Sequence, residues 1–444
     1  MILVDDALRA REAQGKPIRV GMIGAGFMAR GLTNQIVNSV PGMKVVAIYN
    51  RRIERAIDAF TYASDELKPV VVETQDALED ALRAGKPVAT QDAMLLARSP
   101  HIDVLVETTG SVEFGAHVCL EAFKHGKDVV LMNAEIDATI GPLLQVYAKK
   151  YGVVLSACDG DEPGVQINLF RWVRGLGLIP RVIGNIKGLQ DPYRNPTTQK
   201  GFAEKWGQNP AMVTSFADGS KISFEQAIAA NATGFVVKSR GMSRGLEYRG
   251  DVMNIGKLYD IDELRSLGGI VDYVVGTPLT KVYVLAEHTD PKQRHYLNLY
   301  KMGEGPLYSF FIPYHLVHFE VPNAIARAVL FRDSVAKPLG GPVVEVCSVA
   351  KRDLKAGETL DDYGMYMTYG EAVNSPEMRR ERYLPEGLVE GCKLLRDIAK
   401  DEVIRYDDVV LPPNRLADRL RDEQYAHFSD APAATQELNA ALAR

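Results

Sequence analysis

The chain has 444 residues, 46% hydrophobic and 25% charged, with a formal net charge of −5. That length exceeds one compact core and points to two or three domains. The acidic balance offers no basic field for nucleic acid, and no apolar run approaches the roughly 20 residues that cross a bilayer.

Met1–Asp6 lacks the basic-then-apolar order of a secretion signal, and Ala7–Ala13 reads as a short charged helix. Ile18–Ile23 is the first strand. It turns into a helix, Met28–Val40, through Gly24-Ala25-Gly26-Phe27-Met28-Ala29, a G-x-G-x-x-A pattern. Gly24 permits the tight turn, Gly26 admits a pyrophosphate against the backbone, and Ala29 allows close helix–strand packing. The new helix's N–H groups, from Phe27 and Met28 onward, suit a diphosphate. The next strand, Val45–Tyr49, ends at Asn50-Arg51-Arg52. An acid there would accept from ribose hydroxyls, whereas two guanidinium groups suit a 2′-phosphate. The expected cofactor is therefore NADPH; a glycine-rich strand–helix turn without cofactor is the plainer alternative.

Helices are expected at Ile53–Ala63, Thr74–Ala84, Val112–His125 and Leu143–Lys150. Strands are expected at Ile102–Glu107, Asp128–Met132 and Val153–Ser156. This alternation predicts an α/β fold, a Rossmann-type doubly wound parallel sheet, over residues 1–158. Ligands of such sheets sit beyond the carboxyl ends of the strands. Thr108, Thr109, Gly110, Asn133, Ala134 and Glu135 stand there, and helix capping is their plainer role.

Directly after the last of these strands come Asp159-Gly160-Asp161-Glu162-Pro163-Gly164. Three carboxylates within four positions repel one another unless a cation joins them. Mg²⁺ or Mn²⁺ on Asp159, Asp161 and Glu162 is one reading, and an exposed acidic turn is the other.

Residues 159–340 read as a central α+β substrate domain. Its strand-like runs are Val182–Ile186, Gly269–Val275, Thr280–Ala286 and Tyr296–Met302, around a helix at Ser223–Ala232. Lys187 ends a strand, where an ammonium can protonate or polarise an alkoxide. Arg194 and Thr198 are donors on a Pro-bounded loop, and Arg240 lies on a second basic loop; both loops suit an anionic substrate. Asp218 and Lys221 precede a helix whose capping they do not explain. His315 and His318 are spaced i, i+3, without a third soft ligand for zinc. Tyr314 and His315 are read as substrate contacts; for His318 a core role stands beside a substrate contact as an equal alternative. The catalytic candidates are thus Lys187, Asp218 and His315; the substrate contacts are Arg194, Thr198, Lys221, Arg240 and Tyr314.

Residues 341–444 form a third, β-rich stretch. Arg352-Asp353-Leu354-Lys355 and Arg396-Asp397-Ile398-Ala399 repeat one pattern and suggest a pseudo-symmetric module. His427–Arg444 reads as a surface helix or frayed end. Cys119, Cys158, Cys347 and Cys392 form no C-x-x-C pair, which argues against zinc or a disulfide framework and fits a reducing cytoplasm.

With Gly24-Ala25-Gly26, the Asp159–Gly164 loop, the Asp218–Glu225 segment, Tyr314-His315-Leu316 and the Lys-Ala-Gly-Glu turn at Gly357, the chain resembles the homoserine-dehydrogenase-like superfamily with a C-terminal SAF-type domain. It is most similar there to the 1-deoxy-D-xylulose 5-phosphate reductoisomerase-like proteins. That resemblance implies NADPH-dependent, Mn²⁺- or Mg²⁺-dependent conversion of a small phosphorylated sugar to 2-C-methyl-D-erythritol 4-phosphate. The resemblance to homoserine dehydrogenases implies a Lys near the hydride, which Lys187 matches, and keeps a hydroxy-acid or sugar-acid dehydrogenase in play. A non-catalytic cofactor- or sugar-binding protein is the third reading. A homodimer or higher homo-oligomer is expected on general grounds.

Overall fold

A strand buried on both faces must be apolar throughout, and Ile18–Ile23 meets that demand: five of its six residues are buried. In a computed structural model, which describes residues 4–276 and 281–429, this strand (β1) lies at the centre of a seven-stranded parallel sheet. Its companions are β2 (Met43–Tyr49), β3 (Val70–Val71), β4 (Val88–Thr90), β5 (Val104–Glu107), β6 (Asp128–Leu131) and β7 (Leu155–Ala157). The order is β3-β4-β2-β1-β5-β6-β7. The order reverses at β1, so the loops after β1 and β5 flank the crevice where such sheets take ligands. The expected doubly wound sheet is present. The sequence reading passed over β3, β4 and the short helix Ala93–Arg98.

Two compact units divide the chain, and the three consecutive stretches expected from the sequence do not coincide with them. The first unit holds residues 1–164 and takes back residues 316–337. The returning helix, Val317–Phe331, buries Val321, Ala324, Ile325 and Ala328 in the first unit's core. The second unit holds residues 165–315 and 338–444, so the central and C-terminal stretches form one compact body.

The second unit's main sheet joins β8 (Ile179–Lys187), β9 (Leu246–Glu247), β10 (Ile270–Val275), β11 (Lys281–Glu287) and β12 (Leu307–Ile312), in the order β12-β11-β8-β10-β9. β8 and β10 run parallel, while β11 runs antiparallel to β8 and to β12. Helix Ser220–Thr233 is buried at every position except Ala232. It contacts β10 of this sheet and both strands of an antiparallel pair, β13 (Val344–Ala350) and β14 (Thr368–Asn374). A helix walled in this way has no polar face to solvent. The strand expected at Tyr296–Met302 is instead the end of helix Pro291–Leu299, started by Asp290 and Pro291. The Thr280 start of an expected strand, Met1–Leu3, and the expected tail beyond residue 429 lie outside the described residues.

The repeated Arg-Asp pattern of the C-terminal stretch forms a pseudo-twofold pair, completed by β15 (Lys393–Leu394) and β16 (Val409–Val410). Leu354 and Ile398 exchange both backbone hydrogen bonds, at 2.9 and 3.0 Å. Arg352 pairs with Glu358 as Arg396 pairs with Glu402. Asp397 accepts from the Ala356 N–H as Asp353 accepts from that of Lys400. Among the described residues no helix is long and apolar enough to cross a membrane.

Candidate active site

In the first unit the chain leaves β1 at Gly24, whose φ of +114° is open to glycine. A Cβ there would also strike the Thr108 hydroxyl. Gly26 differs. Its backbone is extended, and a Cβ on it would meet no protein atom within 4 Å. The fold therefore does not require a glycine at position 26, whereas a ligand pressed against the backbone would. Gly26 begins helix Phe27–Ser39, which has no side-chain cap and no acid in its first turn. Phe27 is exposed and Met28 half-buried beside it. Ala29 is buried in the core.

After β2, the Asn50 side-chain oxygen Oδ1 accepts from the Arg52 N–H at 2.9 Å and closes the turn. Arg51 and Arg52 are exposed, and neither guanidinium has an ion-pair or hydrogen-bond partner among the described residues. The open cradle at Gly26, the uncapped helix start and this unpaired cationic edge fit a dinucleotide with an added phosphate.

The far strand ends are more committed. Thr108 donates its hydroxyl to the Ile23 carbonyl at 2.9 Å. The Thr109 hydroxyl and N–H both reach Glu107, and Gly110 turns the chain at φ +74°. Asn133 corrects the sequence reading. Its amide donates to Glu107 at 2.8 Å and to the Ser111 carbonyl, and its oxygen caps the following helix through the Ile136 N–H. It is fully buried and its side chain is spent on the scaffold; Ala134 and Glu135 are buried beside it. The acid at the centre of this network, Glu107, was not singled out. Burial pushes its carboxyl up to about 7, against the hydrogen bonds from Thr109 and Asn133 that favour the charged form. The available signal was a lone acid ending an apolar strand.

The acidic loop after β7 is a second correction. Asp159 is 3% exposed, and Arg327 donates to it at 3.1 Å while holding Asp333 at 2.7 Å. A guanidinium thus supplies the positive charge that the carboxylate cluster demands at Asp159, and no metal is needed there. Asp161 is half-buried, and Glu162 is buried in the first turn of helix Glu162–Gly175. His318, on the returning helix, has its ring against Gly31 and is held below its ordinary pKa by burial; it is a packing residue.

In the second unit, Lys187 ends β8 and is 8% exposed. Its ammonium lies 3.7 Å from the carboxylate of Glu225, which is 1% exposed. Glu225 is four residues after Lys221, so both lie on one face of the buried helix. Sequence reasoning gave Glu225 no role of its own. Asp218 has another task. Lys351 donates to it at 2.8 Å and fills its remaining donors with the Arg194 and Met365 carbonyls, each at 2.8 Å. Asp218 also accepts from the Ser220 N–H, so its carboxylate is engaged by the scaffold.

Thr198 is likewise engaged, in a reciprocal capping box with Asn195. Arg194 pairs with Asp191 at 3.0 Å on the half-exposed side of that loop. Arg240 pairs with Glu371 at 2.8 Å and lines a cavity described below. Tyr314 is exposed and His315 half-buried, on the loop after β12.

Three family models match successive stretches of the chain. Residues 20–153 match the NAD binding domain of homoserine dehydrogenase. Residues 160–321 match the catalytic domain of oxidoreductase DRL, and residues 346–410 match the SAF domain. A homoserine dehydrogenase of Pseudomonas aeruginosa is 26% identical over 171 residues, which is 36% of each chain. The match thus spans only about a third of that relative's length. A probable dehydrogenase of Thermotoga maritima covers 73% of this chain and 91% of its own at 12% identity and a TM-score of 0.39. The 3-ketoreductase KijD10 of Actinomadura kijaniata, solved with TDP-benzene and NADP, covers 72% and 91% at 15% and 0.37. None of these matches shows a 1-deoxy-D-xylulose 5-phosphate reductoisomerase specifically. The chain therefore joins a homoserine dehydrogenase-type NAD-binding domain, an oxidoreductase catalytic domain and a SAF domain, the make-up of an NAD(P)-dependent oxidoreductase.

Proposed function

We propose that the protein is an NADP-dependent dehydrogenase acting on a small hydroxy acid or sugar acid, with Lys187 as its proton-handling group. The observation that carries this reading is the buried Lys187–Glu225 pair at the end of β8, within the segment matched to an oxidoreductase catalytic domain. NADPH, when bound, supplies the hydride. Glu225 holds the Lys187 ammonium charged and oriented. Lys187 then donates a hydrogen bond to a carbonyl oxygen and gives up a proton as that oxygen becomes a hydroxyl. In the oxidative direction the same amine takes the proton back. Gly26, the uncapped helix start and Arg51–Arg52 hold the dinucleotide.

The test is stopped-flow NADPH oxidation across a panel of oxo acids and keto sugars, with Lys187→Met compared with the unaltered protein. Lys187→Met is expected to lower kcat about 100-fold or more, with NADPH affinity unchanged. Equal turnover by the variant refutes the role.

A second reading keeps the metal-dependent reductoisomerase. It is favoured by Asp161 and the buried Glu162 standing side by side after β7, once Asp159 is removed from the set. A divalent ion held there would polarise substrate oxygens. Turnover of 1-deoxy-D-xylulose 5-phosphate that is abolished by EDTA and restored by Mn²⁺ selects this reading. Chelator-insensitive reduction of an oxo acid selects the first.

A further inference from the structure

A cavity of about 310 Å³ lies wholly within the second unit, apart from Lys187 and Glu225, neither of which lines it. Its walls come from both the catalytic and the SAF segments. At one end stand Arg240 and Arg244, with the single carboxylate of Glu371 2.8 and 3.6 Å from them. The three charges sum to +1, and most of the guanidinium N–H groups have no acceptor among the described residues. The loop carrying the two arginines is fixed. Asp272 accepts from the Ser243 N–H and hydroxyl at 2.9 and 2.6 Å, and the Gly241 N–H donates to the Ala372 carbonyl at 2.8 Å. Arg244 itself is held at φ +49°, a conformation costly for a residue with a side chain.

Asp401 and two tyrosines add further acceptors to the wall. Asp401 accepts from the hydroxyls of Tyr193 and Tyr369, leaving oxygen lone pairs on both tyrosines. Tyr273 of β10 also stands in the wall. It is 3% exposed and lines the cavity, yet its hydroxyl has no hydrogen-bond partner among the described residues. A buried phenol ordinarily finds one.

We propose that this cavity binds a small hydroxylated carboxylate. The carboxylate lies against Arg240 and Arg244, and the hydroxyls bond Tyr273, Tyr193, Tyr369 and Asp401. Planar guanidinium groups suit a planar carboxylate. The inference stands independently of the reaction proposed above.

The test is calorimetric titration of the full-length protein, without nucleotide, using D-glycerate, D-gluconate and D-glucuronate. Sorbitol and inorganic phosphate are the controls for hydroxyls without charge and charge without hydroxyls. Saturable binding of at least one hydroxy acid is expected, about tenfold tighter than either control. Arg240→Gln should weaken it about tenfold or more. Tyr273→Phe should weaken it roughly three- to tenfold without lowering the thermal midpoint, because the hydroxyl has no partner within the protein. NADPH titration serves as the folding control for both variants. No saturable binding by any of the three acids, controls that bind equally well, or binding untouched by both variants overturns the proposal.

Discussion

Arg51 follows β2 and Glu107 ends β5, and they contribute in opposite ways. Arg51 is exposed and unpaired among the described residues, so its removal costs the fold little. Arg51→Ala should weaken NADPH about tenfold or more while leaving NADH nearly unchanged; fluorescence titration of both cofactors checks this, and equal loss refutes a 2′-phosphate contact. Glu107 is the reverse case, fully buried with a carboxyl raised to about 7 by lost hydration. Below about pH 4.5 it is protonated in both states and its burial carries no charge penalty. As pH rises toward 7, the unfolded chain releases the proton and the folded chain keeps it. Stability therefore falls across that window, by on the order of 3 kcal/mol from this group, and levels off above it. Asp137, raised to about 7 by burial, acts in the same direction. Urea denaturation from pH 4.5 to 8 should show this slope, and Glu107→Gln should make it shallower; an unchanged slope in the variant would exclude Glu107 as its source.

At the scale of elements, a fully buried ion pair, Lys351–Asp218, ties the catalytic and SAF segments together. Lys351, directly after β13, fills all three ammonium donors with Asp218 and two carbonyls. Burial raises the Asp218 carboxyl further than Lys351 lowers it, so the pair is a costly one that only its full set of bonds sustains. Lys351→Met strands that carboxylate and should cost about 3–5 kcal/mol, read from chemical denaturation. Adding Asp218→Asn should recover part of the loss, and an additive double variant would show that the two groups do not interact. This pair, with a sequence separation of 133, was invisible in the sequence. So was Arg327 on Asp159, at a separation of 168. What was legible was local: the glycine turn after β1, the strands ending at Tyr49, Glu107 and Lys187, and the Arg-Asp repeat that became a pseudo-twofold pair. Asp218, Thr198 and Asn133 were misread because each has a polar side chain at a strand or helix end, where capping and substrate binding require the same chemistry. The helix at Pro291–Leu299 was misread as a strand because the apolar residues of its last turn outweighed its Asp290-Pro291 start.

The whole molecule is organised by a chain that returns. Residues 1–164 supply all seven strands of the parallel sheet, yet they leave that unit's core unfinished. Val321, Ala324, Ile325 and Ala328 are each fully buried in it, and Arg327 is the charge partner of Asp159. Without residues 316–337, those core contacts become exposed apolar surface and Asp159 loses its guanidinium. Full burial of each aliphatic side chain contributes about 1–3 kcal/mol, and loss of one partner of a buried charge pair costs about 3–5 kcal/mol. The sum exceeds much of the total stability of a typical domain, about 5–15 kcal/mol. The fragment 1–164 should therefore fail to fold cooperatively, despite holding the entire match to the NAD-binding domain, residues 20–153. A fragment joining 1–164 to 316–337 through a flexible linker should recover a sharp thermal transition and NADPH binding. Near-ultraviolet circular dichroism and NADPH fluorescence read both outcomes. A cooperative, NADPH-binding 1–164 fragment would show that the returning helix only decorates the unit. If it does complete the core, nucleotide-domain folding must wait until more than 150 further residues have been made, since the closing helix lies beyond the whole catalytic segment of the second unit.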